Sequence, residues 1–376
     1  MRCSESTCRY SETTALPQLQ KSVIYLDQNA FSALFNFRSR GRLPKGHEKF
    51  CEEFERLSQR ALLLQQAIFP HSDIHHGETI VFHEAQALRE MYESMGGECR
   101  FLDTHDIEIL QTTELANAAL ESRAPEFSFE ADEVLARPKD RWLRDMRISV
   151  VMDYSRFAEA RRLSRDRAHK QMERLVEYWR SEKPDFAKVL ESERRAFGAT
   201  KVRMFFEALR AYEKACAQGD IDGMLNSSLS QILTEHKAIE QAFIAAGAPR
   251  EKASSIVLDF WSSMNVANHP QQDLEAHLFA ALAGRVAQDQ RSFTRGLLND
   301  VRAISTYAPY VDAMFVDKEF EVLLKETPAL RRLPLRSRIF SFKSTDDFLT
   351  YLGELCESAT EEVAEYASKI YGIGKT

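Results

Sequence analysis

At 376 residues, with 44% hydrophobic and 10% aromatic side chains, the chain carries enough apolar material for one large core or two modest ones, which excludes a disordered majority. Its formal net charge of -7 excludes a surface that is basic throughout, while leaving room for a local basic groove beside an acidic site. Six cysteines (Cys3, Cys8, Cys51, Cys99, Cys216 and Cys356) without a CxxC pair exclude a disulfide framework or zinc knuckle and fit a reducing compartment.

In chain order, residues 1 to 20 are polar and Ser/Thr-rich and read as a loosely held tail. They lack the apolar centre of a secretion signal, and no apolar run approaches the roughly 20 residues that span a bilayer, so the expected location is cytoplasmic. Residues 21 to 110 alternate strand and helix signals. "VIYLD" is a strand, "GHEKFCEEFERLSQRALLLQQAI" an amphipathic helix, and "HHGETIVFHEAQALREMYESM" a second helix halted by Gly96 and Gly97. From 111 to 296 the apolar spacing is helical almost throughout, as in "RMFFEALRAYEKACAQ", which predicts a helical insertion or subdomain. From 297 to 376 the mixed pattern returns: "AMFVD" and "SRIFSF" read as short buried strands and "TDDFLTYLGELCESATEEVAEYASKI" as a closing helix. The expected fold is α/β, with one parallel sheet built by both ends of the chain and a large all-helical insertion between them.

Ligands of parallel α/β sheets bind beyond the carboxyl ends of the strands, so an acid directly after a buried apolar run stands at the functional edge. Asp27 closes the first such run, and Asp312 and Asp317 bracket Ala313 to Val316 in "DAMFVDKEF". Asp300 lies just upstream in "NDVRAISTYAPY", and Glu78 begins a helix in "FPHSDIHHGET". Any one of these acids has an ordinary reading as a helix cap. Gathered within about 4 Å, two carboxylates repel by about 4 kcal/mol at an effective dielectric near 20, so a fold that collects several needs a cation. Oxygen ligands favour Mg²⁺ or Mn²⁺ over zinc.

The blocks "VIYLDQNAFS", "HSDIHHGE" and "NDVRAISTYAPYVDAMFVDKEF" together resemble the PIN-like nuclease superfamily, in particular bacterial members that open with a "YLDQN" strand end. The resemblance covers residues 22 to 37, 69 to 90 and 297 to 345. It implies an α/β/α PIN-like core and a catalytic, metal-holding set of Asp27, Glu78, Asp300 and Asp317, with Asp312 as an accessory fifth metal ligand. Asn29 would hold a water or orient a carboxylate, and His75 would touch substrate or position Glu78. Glu84 competes with Glu78 on the same expected helix. Six residues of helix is about 600°, so the two face different ways and only one can line the site.

The implied activity is endonucleolytic hydrolysis of phosphodiester bonds with Mg²⁺ or Mn²⁺, on RNA in preference to DNA, in the setting of a toxin or an anti-phage effector. The alternatives are a DNA-cleaving relative or an inactive PIN-like scaffold whose helical insertion recruits a partner. A regulatory protein and self-association are compatible with either. The sequence contains no GxSxG elbow, GxxxxGK[ST] loop or GxGxxG turn, which excludes the common hydrolase, NTPase and dinucleotide-enzyme signatures. "YLDQN" read as a haloacid-dehalogenase motif lacks the second Asp, since Asn29 stands there. His71 and His75, four residues apart, are a candidate zinc pair, against the ordinary reading that His71 precedes the helix.

Residues 137 to 174 carry twelve Lys or Arg against six Asp or Glu in a chain of net charge -7. Arg141, Arg144, Arg147, Arg161 and Arg165 are candidate nucleic-acid contacts, with Trp142, Tyr154 and Phe157 placed to stack on bases. The competing reading is a solvated helix surface with its aromatics in the core. "LRRLPLRSR", residues 330 to 338, is a smaller basic cluster.

Overall fold

The structure is a computed structural model that describes residues 16–39, 46–82, 84–143, 158–228, 230–288, 296–333 and 335–373. Most of the tail expected at the N-terminus lies outside them, as do Arg144, Arg147, Tyr154, Phe157 and the side chain of Arg161.

Strand β1 (Ser22–Leu26) leads into α1 (Gln28–Arg38) and α2 (Glu48–Leu63), then β2 (Ala67–Ile68), α3 (Asp73–Thr79), α4 (Ala85–Met95) and α5 (Thr104–Leu120). Six helices follow: α6 (Ala158–Glu182), α7 (Phe186–Gln218), α8 (Ile221–Ser228), α9 (Gln231–Ala245), α10 (Arg250–Ser262) and α11 (Pro270–Ala287). The chain then returns through α12 (Leu297–Tyr307), β3 (Ala313–Phe315), α13 (Lys318–Glu326), β4 (Arg338–Phe340), α14 (Thr345–Glu357) and α15 (Glu361–Tyr371). The four strands form one sheet in the order β2-β1-β3-β4, parallel at every pairing.

Both ends of the chain therefore build the sheet, as expected. Ile24 pairs with Ala313, Tyr25 with Met314 and Leu26 with Phe315. A parallel sheet is covered on both faces, which is why Val23 to Leu26 form an unbroken apolar run rather than an alternating one. Side chains still alternate, so the run divides between two cores. Val23, Tyr25, Ile68 and Met314 join one with α11 and α12, whereas Ile24, Leu26, Ala67, Ala313, Phe315 and Phe340 join the other with α1, α2, α4 and α14. Helices on both faces of a parallel sheet make an α/β/α sandwich.

Three expected helices end or divide differently. The first stops at Leu63: Gln65 adopts φ 59°, its amide donates to the carbonyls of Leu62 and Leu63, and Ala67–Ile68 becomes β2. Periodicity cannot separate so short a strand from the helix before it. The second divides into α3 and α4 at residues 80 to 84, where β-branched Ile80 and Val81 lead to Phe82, packed edge-on against Phe35. The closing helix divides at Thr360, whose side chain accepts from the Val363 amide and starts α15.

The described residues of the middle section are mostly helical, but residues 121 to 143 are not: apart from a 3₁₀ turn at Ala131–Val134 they run as loop, with Leu135 bridging to Phe101. Ile239, Phe243, Val257, Phe260 and Trp261 make a third core with Leu115 and Ala116 of α5. The boundary expected at residue 110 falls inside α5, which serves two cores: Ile107 packs on the sheet side and Leu115 on the helical side. Met172, Val176, Trp179 and most of the buried face of α11 also belong to the sheet-side core. At Gly198, α7 passes so close to α10 that a Cβ would lie 2.0 Å from the Trp261 carbonyl oxygen.

Candidate metal centre

Asp27 is the residue after β1 and the N-cap of α1. Its amide donates to the Phe315 carbonyl at 2.8 Å, extending the β1–β3 ladder by one bond. Its Oδ1 accepts from the Gln28 amide at 2.6 Å and its Oδ2 from the Asn29 side-chain amide at 3.1 Å. Asp317 stands one residue further along the neighbouring strand: it follows Val316 after β3, caps α13 and accepts from the Glu319 amide at 3.0 Å. The cap reading of these acids is thus met, and capping leaves their second oxygens at the strand-end edge. Adjacent parallel strands lie about 4.8 Å apart, so two caps at equivalent strand ends are neighbours by construction.

Glu78, in the last turn of α3, accepts from the Asn299 side-chain amide at 2.7 Å. Asn299 precedes Asp300 in the first turn of α12, so this bond joins the elements that carry the second and third acids. Asp27, Glu78 and Asp300 all act electrostatically on the buried Tyr25 ring. Burial, then the charges of Glu78 and Asp317, push the Asp27 carboxyl up to about 7, against its hydrogen bonds from Gln28 and Asn29. Burial also raises Glu78, opposed by Asn299 and by the charge of Arg165. The structure therefore brings Asp27, Glu78, Asp300 and Asp317 to one end of the sheet, each half-buried and open to solvent.

Carboxylates raised chiefly by burial, as at Asp27 and Glu78, suit a hard divalent cation, and the donor set offers oxygen without sulfur. No three of these acids bring their oxygens within 4.8 Å of one another; among the described residues, the group that does is His105, Glu108 and Glu235, in the helical section.

Three expectations are corrected. Asp312 is no fifth ligand: it precedes β3, so the strand, about 10 Å of it, separates it from the acid-bearing end. There Asp312 accepts from the Val23 amide at 2.9 Å and pairs with Arg336 at 3.2 Å. His75 touches no substrate, being fully buried. Its Nδ1 accepts from the Ser72 amide at 3.0 Å and its Nε2 donates to the Leu26 carbonyl at 2.7 Å, a pattern that requires the neutral Nε2–H tautomer. Burial holds this ring neutral, with its pKa lowered to about 4. It fastens the strand end that presents Asp27, and with both nitrogens engaged it is no partner for His71 in a zinc pair. Glu84 and Glu78 sit on separate helices, Glu84 as the N-cap of α4, so the rotation argument between them does not apply.

Of the candidate nucleic-acid contacts, Arg165 on α6 lies within electrostatic reach of Glu78, beside the acids. Arg141 is exposed, and its carbonyl accepts from Lys21 Nζ. Trp142 is a packing residue: its Nε1 donates to the Pro17 carbonyl at 3.1 Å and its ring meets Tyr366 edge-on at 4.6 Å. In the smaller basic cluster Arg336 pairs with Glu130 and Asp312, while Arg338 lies over the Tyr351 ring. A cleft of about 1430 Å³ opens elsewhere, lined by Arg195, Gly198, Trp261 and Leu335, and includes none of the acids.

Sequence reasoning missed Asn299 and the group around Glu108. Asn299 adjoins Asp300 in "NDVR", which is the one local signal for it. Comparison with protein-family models, with curated proteins and with solved structures finds no match.

Proposed function

We propose that this protein is a divalent-metal-dependent endonuclease, acting on RNA in preference to DNA, with a PIN-like arrangement of acids. The observation that carries the reading is the pairing of Asp27 and Asp317 as helix caps on adjacent parallel strands, with Glu78 and Asp300 delivered beside them from α3 and α12. Asp27, Glu78, Asp300 and Asp317 would hold Mg²⁺ or Mn²⁺. When bound, the metal supplies Lewis-acid polarisation of the scissile phosphate and a bound water of lowered pKa.

The chain's own groups have separate tasks. The Asn29 amide fixes one oxygen of Asp27 and leaves the carboxylate plane set by the α1 cap. The Asn299 amide does the same for Glu78. The first turns of α1 and α13 direct their amides and dipoles towards this edge, which favours the phosphate anion as well as the caps. Arg165 adds a positive charge on the α6 side, suited to a backbone phosphate. No side-chain nucleophile is required. A toxin or anti-phage role is the setting in which such an activity fits.

The test is incubation of the purified chain with labelled single-stranded RNA and DNA, in Mn²⁺ or in EDTA, beside an Asp27→Asn variant. Cleavage in Mn²⁺ that is lost in EDTA and in the variant supports the proposal. Cleavage that survives both, or none in any arm, overturns it.

A further inference from the structure

A second charged centre is built by residues of α5 and α9. His105 and Glu108 stand three residues apart on α5, hence on one face of the helix. Glu235, on α9, meets them across the α5–α9 contact, and one ligand atom from each of the three lies within 4.8 Å of the others. Glu235 is 0% exposed and its Oε1 has no hydrogen-bond partner; the buried Nε2 of His105 has none either. Two polar atoms without a protein partner, on residues whose ligand atoms meet, are suited to sharing a cation.

The charge balance points the same way. Lys201 of α7 donates to Glu108 and, at 2.6 Å, to Glu235 Oε2. Arg302 acts on Glu108 and on Glu275, and Glu275 in turn is acted on by Glu108 and Glu193. Against Glu108, Glu193, Glu235 and Glu275 stand Lys201 and Arg302, an excess of two negative charges in a largely desolvated interior. Such an excess is neutralised by protons or by one divalent cation.

We propose that His105, Glu108 and Glu235 form a metal site separate from the strand-end acids, selective for a borderline divalent ion of the Zn²⁺ type, that clamps α5 to α9. One imidazole and two carboxylates are zinc ligands, and a fourth position is left for water. The outer shell is in place: the Gln272 amide donates to Glu108 Oε2 at 3.2 Å, and His269 Nε2 contacts the Glu108 carbonyl at 3.2 Å. Lys201 donates to Glu108 and Glu235, and its ammonium would have to leave Glu235 for the three residues to hold the ion.

The experiment uses the full chain with Asp27→Asn, stripped with EDTA, so that the strand-end site is disabled. Zn²⁺ is titrated calorimetrically, Co²⁺ is followed by its visible d–d bands, and melting is monitored with each metal. The expected result is one equivalent of Zn²⁺, Co²⁺ bands of low-symmetry nitrogen and oxygen coordination, and a raised Tm. All three disappear when His105→Ala or Glu235→Gln is added, in variants whose circular dichroism matches the parent. His105→Ala in the otherwise natural chain leaves nucleic-acid cleavage intact. Absence of Zn²⁺ binding to the Asp27→Asn chain, or binding unchanged by both added substitutions, overturns the site. Neither outcome depends on whether the strand-end acids cleave anything.

Discussion

Asp27 is simultaneously a helix cap and a carboxylate out of its ordinary range, and the two properties can be separated by Asp27→Asn. Asparagine keeps an oxygen for the Gln28 amide, so the cap survives while the charge goes. The folded-state pKa, about 7, lies above the ordinary 3.8, so the stability linked to the protonated form is complete below 3.8 and lost as pH rises through about 7. In EDTA at pH 8, Asp27→Asn is therefore expected to be more stable than the parent, by about 4 kcal/mol at most, with no advantage near pH 4. Urea unfolding at the two pH values measures this. Saturating Mn²⁺ should restore the parent and leave the variant unchanged; a difference independent of pH would rule out a raised carboxyl at Asp27.

His75 has the opposite sign. Its pKa is lowered by burial from 6.5 to about 4, so the stability it contributes as a neutral ring is complete above 6.5 and lost as pH falls from there towards 4. His75→Phe leaves the Leu26 carbonyl without its donor, at a cost of about 1–3 kcal/mol. Because Asp27 is the next residue, the variant should also, under the proposed activity and where denaturation shows it fully folded, lower kcat by about tenfold while KM stays within about twofold. Chemical denaturation and steady-state cleavage together check it.

At the scale of elements, the register of β1 against β3 does most of the positioning. Leu26 opposite Phe315 sets Asp27 level with Val316, one residue short of Asp317, so both acids leave the sheet at one edge, and the caps of α1 and α13 then orient their carboxylates. The same strand direction removes Asp312, which its position in sequence had made look equivalent to Asp317. The packing of α7 on α10 gives an independent test. Alanine is the better helix former, by about 1 kcal/mol, so on propensity alone Gly198→Ala would stabilise the 33-residue α7. A Cβ 2.0 Å from a backbone oxygen cannot be relieved by a rotamer change, and overpacking of this kind costs about 1–3 kcal/mol or more. A lower Tm for Gly198→Ala is expected in a thermal melt, and an unchanged or higher one would show that α7 and α10 are further apart than described.

At the scale of the molecule, the sheet exists only because distant segments meet. β1 has β2 on one side and β3 on the other, and β3 arrives nearly three hundred residues later. A chain cut after residue 296 would leave β1 with the two-residue β2 and expose the apolar faces that β3 and α14 cover. It should show no cooperative unfolding transition by circular dichroism, whereas an independently folding first section would retain one. No described helix is long and apolar enough to cross a membrane.

Local patterns were sufficient for what depends on near neighbours. The apolar run ending in Asp27, the helical spacing from 111 to 296 and the acids of "YVDAMFVDKEF" were legible because periodicity and strand-end placement are properties of a few consecutive residues. Tertiary structure alone decided the rest. Whether an acid is a ligand, as proposed for Asp317, or a partner of Val23 and Arg336, as at Asp312, depends on which edge of the sheet it reaches. Whether His75 meets solvent or a carbonyl depends on a contact 49 residues back in the chain. The meeting of His105, Glu108 and Glu235 requires α5 to lie on α9, and such long-range encounters are set by the summed burial of whole helix faces, which no short window of sequence contains.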